Sequence, residues 1–285
     1  MVKMHEEKSK KLSLRVSFIA IVILILCLAW AFFEPFLLTK NEFVYHHEDI
    51  PKSFENFRIV FVSDIHFGKI NGERRLEKLV DEINEYSPDV VILGGDYVDG
   101  DFSKAYKFFE IIEGLKAERE IYAVFGNHEN ENEEEFFADM FAEKGIVFLD
   151  NENESIEIGK ERIFFCGTRD EISGDADISS ALEGVKDEDF TVFISHNPKT
   201  LDRMPLEQAE ITDFALAGHF HGGQITLFGL LAISPDLDIL PLVGFEKGIN
   251  SVDGMDMLVS NGAGQVYVPM RFFARREMHI IDLSS

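Results

Sequence analysis

Strand-like apolar segments in this chain end, one after another, on residues that can bind a metal. "FVSDIHFG" presents Asp64 and His66, "ILGGDYVD" presents Asp96 and Asp99, and "AVFGNHEN" presents Asn127 and His128. "VFISHNP" presents His196, and "LAGHFHGG" presents His219 and His221. Ligand sites on open α/β sheets form at the carboxyl ends of strands, so these residues are expected to converge. Each has a bland reading of its own. Asp64 suits a turn or a helix cap, Asn127 a turn, and His196, ahead of Asn197 and Pro198, a cap. Five such coincidences in one chain weigh more than any one of them. In "GHFHGGQ" the two imidazoles stand at i and i+2, which in an extended segment puts them on one side. Gly218, Gly222 and Gly223 clear space around them. The histidines outside these segments carry no such signal: His46 and His47 beside Glu48 and Asp49 are expected to be solvated, and His279 alternates in the last strand.

The rest of the pattern predicts an α/β fold. "FRIVFVSD" (57–64), "DVVILGGD" (89–96) and "EIYAVFGN" (120–127) read as buried strands. Helices are expected over 72–86, with Leu76, Leu79, Val80 and Ile83 on one face, over 103–115, and over 130–145, the last opened by acidic residues. Beyond residue 145 the segments shorten into strands separated by turn signals, an order that argues for sheets covered by helices.

Residues 16–33, "VSFIAIVILILCLAWAFF", are 18 residues without a charge. As a helix they reach about 27 Å, close to the hydrocarbon thickness of a bilayer. Residues 1–15 carry a net charge of +3, so the positive-inside rule puts a basic tail in the cytoplasm and the large domain outside it. Trp30 then falls near the outer interface. A cleaved signal peptide ending at "AWA" (29–31) is the alternative; a lipoprotein at Cys27 is disfavoured by Leu26 and Leu28 on either side. The expected organisation is a tail (1–15), a transmembrane signal anchor (16–33), a connector with a first edge segment (34–57) and a catalytic domain (58–285).

The net charge of −25 repels polyanions, and no basic stripe offsets it, so nucleic acid is not an expected partner. Cys166 is the only cysteine outside the apolar run, which leaves no disulfide within the domain.

The ordered series "DIH", "GDYVD", "GNHE", "SH" and "GHFH" resembles the calcineurin-like metallophosphoesterases, over about residues 58–283 and with a likeness to the bacterial membrane-associated branch ending in GHxHGGQ. The resemblance implies a four-layer α/β/β/α sandwich. It implies that Asp64, His66 and His221 hold one metal, that Asn127, His196 and His219 hold a second, and that Asp96 bridges the two. Phe220, where threonine is common, and "GTRDE" (167–171) depart from the family pattern and bear on specificity. Two cations suit phosphoester hydrolysis because they acidify a water and neutralise phosphate oxygens. The nitrogen and oxygen donors favour Mn, Fe or Zn. His128 is left over from the ligand set and is expected either to donate to the leaving group or to orient a ligand, with Asp99 as a partner to a ligand histidine. The expected function is a membrane-anchored, two-metal phosphodiesterase acting on a lipid-linked or envelope phosphoester, with Phe67, Phe220, Phe228 and Leu230 as candidates for an apolar pocket. The alternatives are a diacylated UDP-sugar pyrophosphatase of the lipid A pathway and a non-catalytic metal-binding scaffold.

Overall fold

The structure, a computed structural model, describes residues 2–99, 102–129, 134–170, 172, 176–233, 239–241, 247–252 and 254–285. Two six-stranded sheets face one another. The first runs in the order Leu38–His46, Arg276–Ser284, Arg58–Val62, Val90–Leu93, Glu120–Ala123, Val147–Phe148. The second runs Gly248–Val252, Met255–Val259, Phe214–Ala217, Phe190–Ile194, Glu161–Gly167, Glu152–Ile158. Both are mixed, but their central strands are parallel. A small third sheet joins Thr226–Leu227, Leu231–Ile233 and Ile239–Pro241.

Period-two alternation explains why these short strands are apolar on both faces. In the first sheet Val60, Val62, Val91 and Leu93 face a core shared with the helices, while Ile59, Phe61, Val90 and Ile92 face the other sheet. That outer core takes the buried stripe Leu76, Leu79, Val80 and Ile83 of Glu73–Asn84 (α2), with Ala105–Ile112 (α3) and Glu134–Glu143 (α4) beside it. In the second sheet Phe190, Val192, Ile194, Phe214 and Leu216 point inward, whereas Phe193, Ala215 and Ala217 point to a third core under short helices at Ile178–Ala181, Pro198–Asp202 and Leu206–Ala209. Helix, sheet, sheet and helix are therefore four layers around three cores.

The helices lie within the expected segments, and the start of the one expected over 130–145 lies outside the described residues up to 133. The strands stop earlier than their apolar runs, at Val62, Leu93 and Ala123. The segment over 34–57 contains a nine-residue strand, Leu38–His46, paired in parallel with the last strand of the chain. His46 is exposed; His47 is half-buried rather than solvated, stacked on Tyr45 and 3.6 Å from Asp213. His279 is buried, 3.3 Å from Glu277.

The amino-terminal helix Val2–Phe33 (α1), with the 3-10 turn Glu34–Phe36 that continues it, contains the stretch Lys11–Phe36, apolar and long enough to cross a membrane, with only 6 % of its apolar window buried in the protein.

Phe165 stands between the sheets, fully buried and stacked on Tyr122 at 4.7 Å. Phe165→Ala is expected to cost about 3–5 kcal/mol in denaturant unfolding. Val44→Ala, on an exposed edge position, is expected to stay within about 1 kcal/mol of the parent. Equal midpoints for the two variants would contradict this account of the core.

Candidate metal centre

The parallel strands of both sheets end at the same edge of the sandwich, and the two sheets are stitched together there. The backbone N–H of Gly264 donates to Asp64 O at 2.6 Å and that of Ala263 to Ser63 O at 2.8 Å. His196, from the second sheet, places Nδ1 2.7 Å from the Gly94 carbonyl of the first. Loops following six different strands thus meet in a few ångströms of buried space.

Asp96 lies at the middle. Its Oδ2 is 3.3 Å from His66 Nε2 and 3.2 Å from His196 Nε2, and its Oδ1 accepts from the His128 N–H at 2.9 Å. On one side Asp64, His66, Asp96 and His221 bring one ligand atom each within 4.8 Å of one another; on the other Asp96, His196 and His219 do the same. Asn127 Oδ1 is 2.8 Å from His219 Nδ1. All seven residues assigned to metals by resemblance are therefore in one cluster. His128 stands at its half-buried edge, its ring edge-on to His66 at 4.7 Å, and Asp99 is within the same ligand-atom range of both histidines.

Two details differ from the sequence reading. His219 and His221 do not alternate along a strand: the strand stops at Ala217, and both histidines take left-handed backbone conformations, with φ of 73° and 52°. A strand would have aimed both rings at one point; this turn sends His221 to Asp64 and His66, and His219 to His196 and Asn127. The four expected apolar-pocket residues do not form a pocket either. Phe67 is core, Phe220 is half-buried with Lys199 5.8 Å above its ring, and Phe228 and Leu230 are exposed.

The donor set fits a cation. Nδ1 of His196 can meet the Gly94 carbonyl only as N–H, which leaves the Nε2 lone pair facing Asp96. Despite its 3.2 Å approach to Asp96 Oδ2, that buried Nε2 makes no well-directed hydrogen bond. A lone pair against a carboxylate is stable only with a proton or a cation between them. The same holds for the Nε2 atoms of His66 and His221, 3.2 Å apart and buried. Protonation preferences follow the carboxylate. Burial opposes charge on His196 and His66, yet Asp96 raises both above the ordinary histidine value. His221 is held well below it by burial, the His66 ring and Arg271, and His219 is lowered by burial and His196.

Three supporting residues were not among the expected site residues, although Glu129 ends the "GNHE" motif. Glu129, fully buried, accepts from the N–H groups of Asp96 (3.0 Å), Tyr97 (2.7 Å) and Gly126 (3.0 Å), clamping two strand-end loops together. Burial and Asp96 push its carboxyl up to about 7. Ser63 Oγ donates to Asp64 Oδ2 at 2.6 Å. Arg271 is fully buried and donates to the carbonyls of His221, Asn261, Gly264 and Ala274. Asp170 of "GTRDE" is buried near the cluster, and Glu171 of that segment lies outside the described residues.

Gly218 is a close-approach position: a Cβ there would collide with Asp64 Oδ2 and Ser63 Oγ, neither of which can yield without moving the carboxylate. Gly218→Ala is expected to lose at least about half of the divalent metal retained through purification while keeping its far-UV circular dichroism, since a small misplacement of one ligand loosens a metal site. Unchanged metal by elemental analysis would remove Asp64 from the site.

A family model described as calcineurin-like phosphoesterase matches residues 57–223, more than half of the chain. An uncharacterized metallophosphoesterase of Helicobacter pylori is 28 % identical over 239 residues, which cover 82 % of this chain and 61 % of that protein. A transmembrane protein with metallophosphoesterase domain from Danio rerio is 28 % identical over 248 residues, covering 83 % of this chain and 55 % of that protein. The chain thus spans little more than half the length of these relatives. Among solved structures, a dimetal phosphatase from Danio rerio aligns with a TM-score of 0.44 at 12 % identity, over 81 % of this chain and 100 % of that one.

Proposed function

The chain belongs to the calcineurin-like phosphoesterase family, and from that premise we propose that it is a membrane-anchored phosphodiesterase that works with two divalent metal ions. The observation that carries this reading is the single Asp96 carboxylate shared between two clusters of nitrogen and oxygen donors. A carboxylate has two oxygens to share, whereas an imidazole in that position would serve one side only. Asp64, His66 and His221 form one ligand set with Asp96; Asn127, His196 and His219 form the other. The absence of thiolate from the set supports Mn, Fe or Zn. Bound there, two such ions supply Lewis-acid chemistry: a more acidic water and neutralised phosphate charge.

The remaining steps fall to the chain. Glu129 fixes the relative position of the Asp96 and Asn127 loops through three backbone N–H groups. Neutral rings at His219 and His221 leave lone pairs to donate. His128, half-buried and free of the ligand set, holds a proton or a hydrogen bond at the departing oxygen. The ending "GHFHGGQ" supports a place in the membrane-associated branch. The charge asymmetry of the apolar helix supports residues 1–15 as a cytoplasmic tail, 16–33 as the anchor, 34–57 as the connecting edge and 58–285 as a catalytic domain outside the cytoplasm. A phosphodiester of a membrane lipid or of the cell envelope is the substrate class this arrangement favours.

The full chain in detergent is offered bis-p-nitrophenyl phosphate and p-nitrophenyl phosphate with Mn, Zn, Fe or Mg. Diester hydrolysis is expected to require metal, to vanish with a chelator, and to fall by at least about 10³-fold in Asp96→Asn. A variant as active as the parent would overturn the assignment. His128→Ala is expected to lower kcat by about 10²-fold or more on alkyl diesters and far less on p-nitrophenyl diesters, whose leaving group needs no proton. An equal loss on both would make His128 an orienting residue.

A further inference from the structure

We propose that the outer turns of α1, Phe272 and Phe273, and the Leu227–Leu230 turn form one apolar surface that beds into the lipid bilayer, bringing the mouth of the metal centre to the level of the lipid headgroups. The proposal rests on α1 being a membrane span.

The first observation is where the domain touches the helix. Ile23, Leu26, Cys27 and Trp30 face Phe272 and Phe273 across a cavity of about 560 Å³. These four positions follow the i, i+3, i+4, i+7 stripe of one helix face. From Trp30 back to Ile23 is about 10 Å along the axis, so the groove runs nearly two turns into the apolar span. If that span lies in hydrocarbon, Phe272 and Phe273 lie there with it.

The second is that the contact cannot hinge away cheaply. Glu34, 1 % exposed, accepts from the N–H of Phe273 at 3.1 Å, the N–H of Ala274 at 2.8 Å and Trp30 Nε1 at 2.6 Å. The Arg271 N–H donates to Ala31 O at 3.0 Å. Separating helix and loop would strand a buried carboxylate.

The third is the continuation of the patch. Phe228 and Leu230 are 71 % and 68 % exposed, and the Phe228 ring sits 5.6 Å from that of Phe273. Such a patch, continuous with a lipid-exposed helix, matches hydrocarbon and not water. Arg275, exposed at the rim with its guanidinium 6.0 Å from the Trp30 ring, stands where an anionic headgroup phosphate would be met.

The surface is wired to the metal centre. The Phe272 N–H donates to Gln224 O and the Thr226 N–H to Phe272 O, both at 2.9 Å, which pairs this loop with the segment that leaves His221. Arg271, one residue before Phe272, holds the His221 carbonyl at 3.1 Å. A phosphodiester in the headgroup layer would reach the cluster without leaving the membrane surface.

The test uses the full chain in phosphatidylcholine vesicles with plain or brominated acyl chains. Trp30 is the only tryptophan; quenching of its emission by bromine checks the span, and its absence would overturn the membrane reading altogether. In a Trp30→Phe background, Phe228→Trp is expected to emit at short wavelength and to be quenched at least about twofold by brominated chains. Val44→Trp is exposed and about 20 Å along its strand from the helix end, and should be neither blue-shifted nor quenched. A Phe228→Trp signal matching that of Val44→Trp would overturn the docking surface. So would a blue-shifted but unquenched signal, which would assign the patch to a second copy of the chain. The activity arm is read separately: the triple variant Leu227→Ser, Phe228→Ser, Leu230→Ser is expected to lose about tenfold on a diester lipid in vesicles and nothing on bis-p-nitrophenyl phosphate. A parent without hydrolytic activity would sink the proposed reaction and leave the fluorescence result standing.

Discussion

Everything at the centre of this protein depends on holding one carboxylate, Asp96, among imidazoles in a buried seam between two sheets. Removed from water, the carboxylate alone would be costly to ionise. His196 and His66, each a little over 3 Å from its Oδ2, make the charged form the stable one and hold its pKa well below the ordinary range. The same contacts raise the two imidazoles, so charge is shared across the seam. The polar cluster therefore stays compact only because opposite charges are interleaved. That interleaving is also what a pair of cations would require of its ligands.

Reaching this geometry strains the backbone. Asp64, His66, Asp96, His219 and His221 all take φ between 46° and 73°, a region in which residues with a Cβ are crowded. Each such residue costs of order 1 kcal/mol or more and persists where the surroundings over-determine it. Here the surroundings are visible. The N–H groups of Asp64 and His66 are held by the carbonyls of Gly95 and Asp96, Glu129 clamps the neighbouring turn, and the strands feeding the loops are fixed by cores on both faces. The strands stop short of their apolar runs for the same reason: the last residues of each run leave the sheet to make the turn.

A second set of buried charges ties the membrane-like helix to this centre. Glu34 caps the loop that carries Arg271, and Arg271 satisfies four carbonyls around His221. Burial lowers its pKa to about 10, still far above neutrality. The helix end is thus part of the domain's polar interior rather than a tether attached to it. The uncharged part of the helix, residues 16–33, exposes almost nothing but apolar side chains, which in water would have no partner.

Much of this was legible in the chain itself. Short uninterrupted runs rich in β-branched residues, such as "RIVFV" and "VVIL", read as strands buried on both faces, and the stripe of Leu76, Leu79, Val80 and Ile83 fixes which side of α2 meets them. The polar residues ending those runs marked one edge of the fold, because strand ends are where a layered α/β domain leaves room. The motif series placed the imidazoles in two sets by resemblance, but strand alternation alone would have joined His219 and His221, which a left-handed turn separates. Nor could the sequence show that Arg271 and Glu129 are interior, since their partners are backbone groups of distant loops, or that Phe228 and Phe273 meet beside α1. Local pattern determined strands, helices and the existence of a site, because those depend on near neighbours. Partners a hundred or more residues apart, such as Asp96 with His196 or Glu34 with Phe273, had their contacts decided by tertiary packing, because each is set by how two sheets and one helix close on one another.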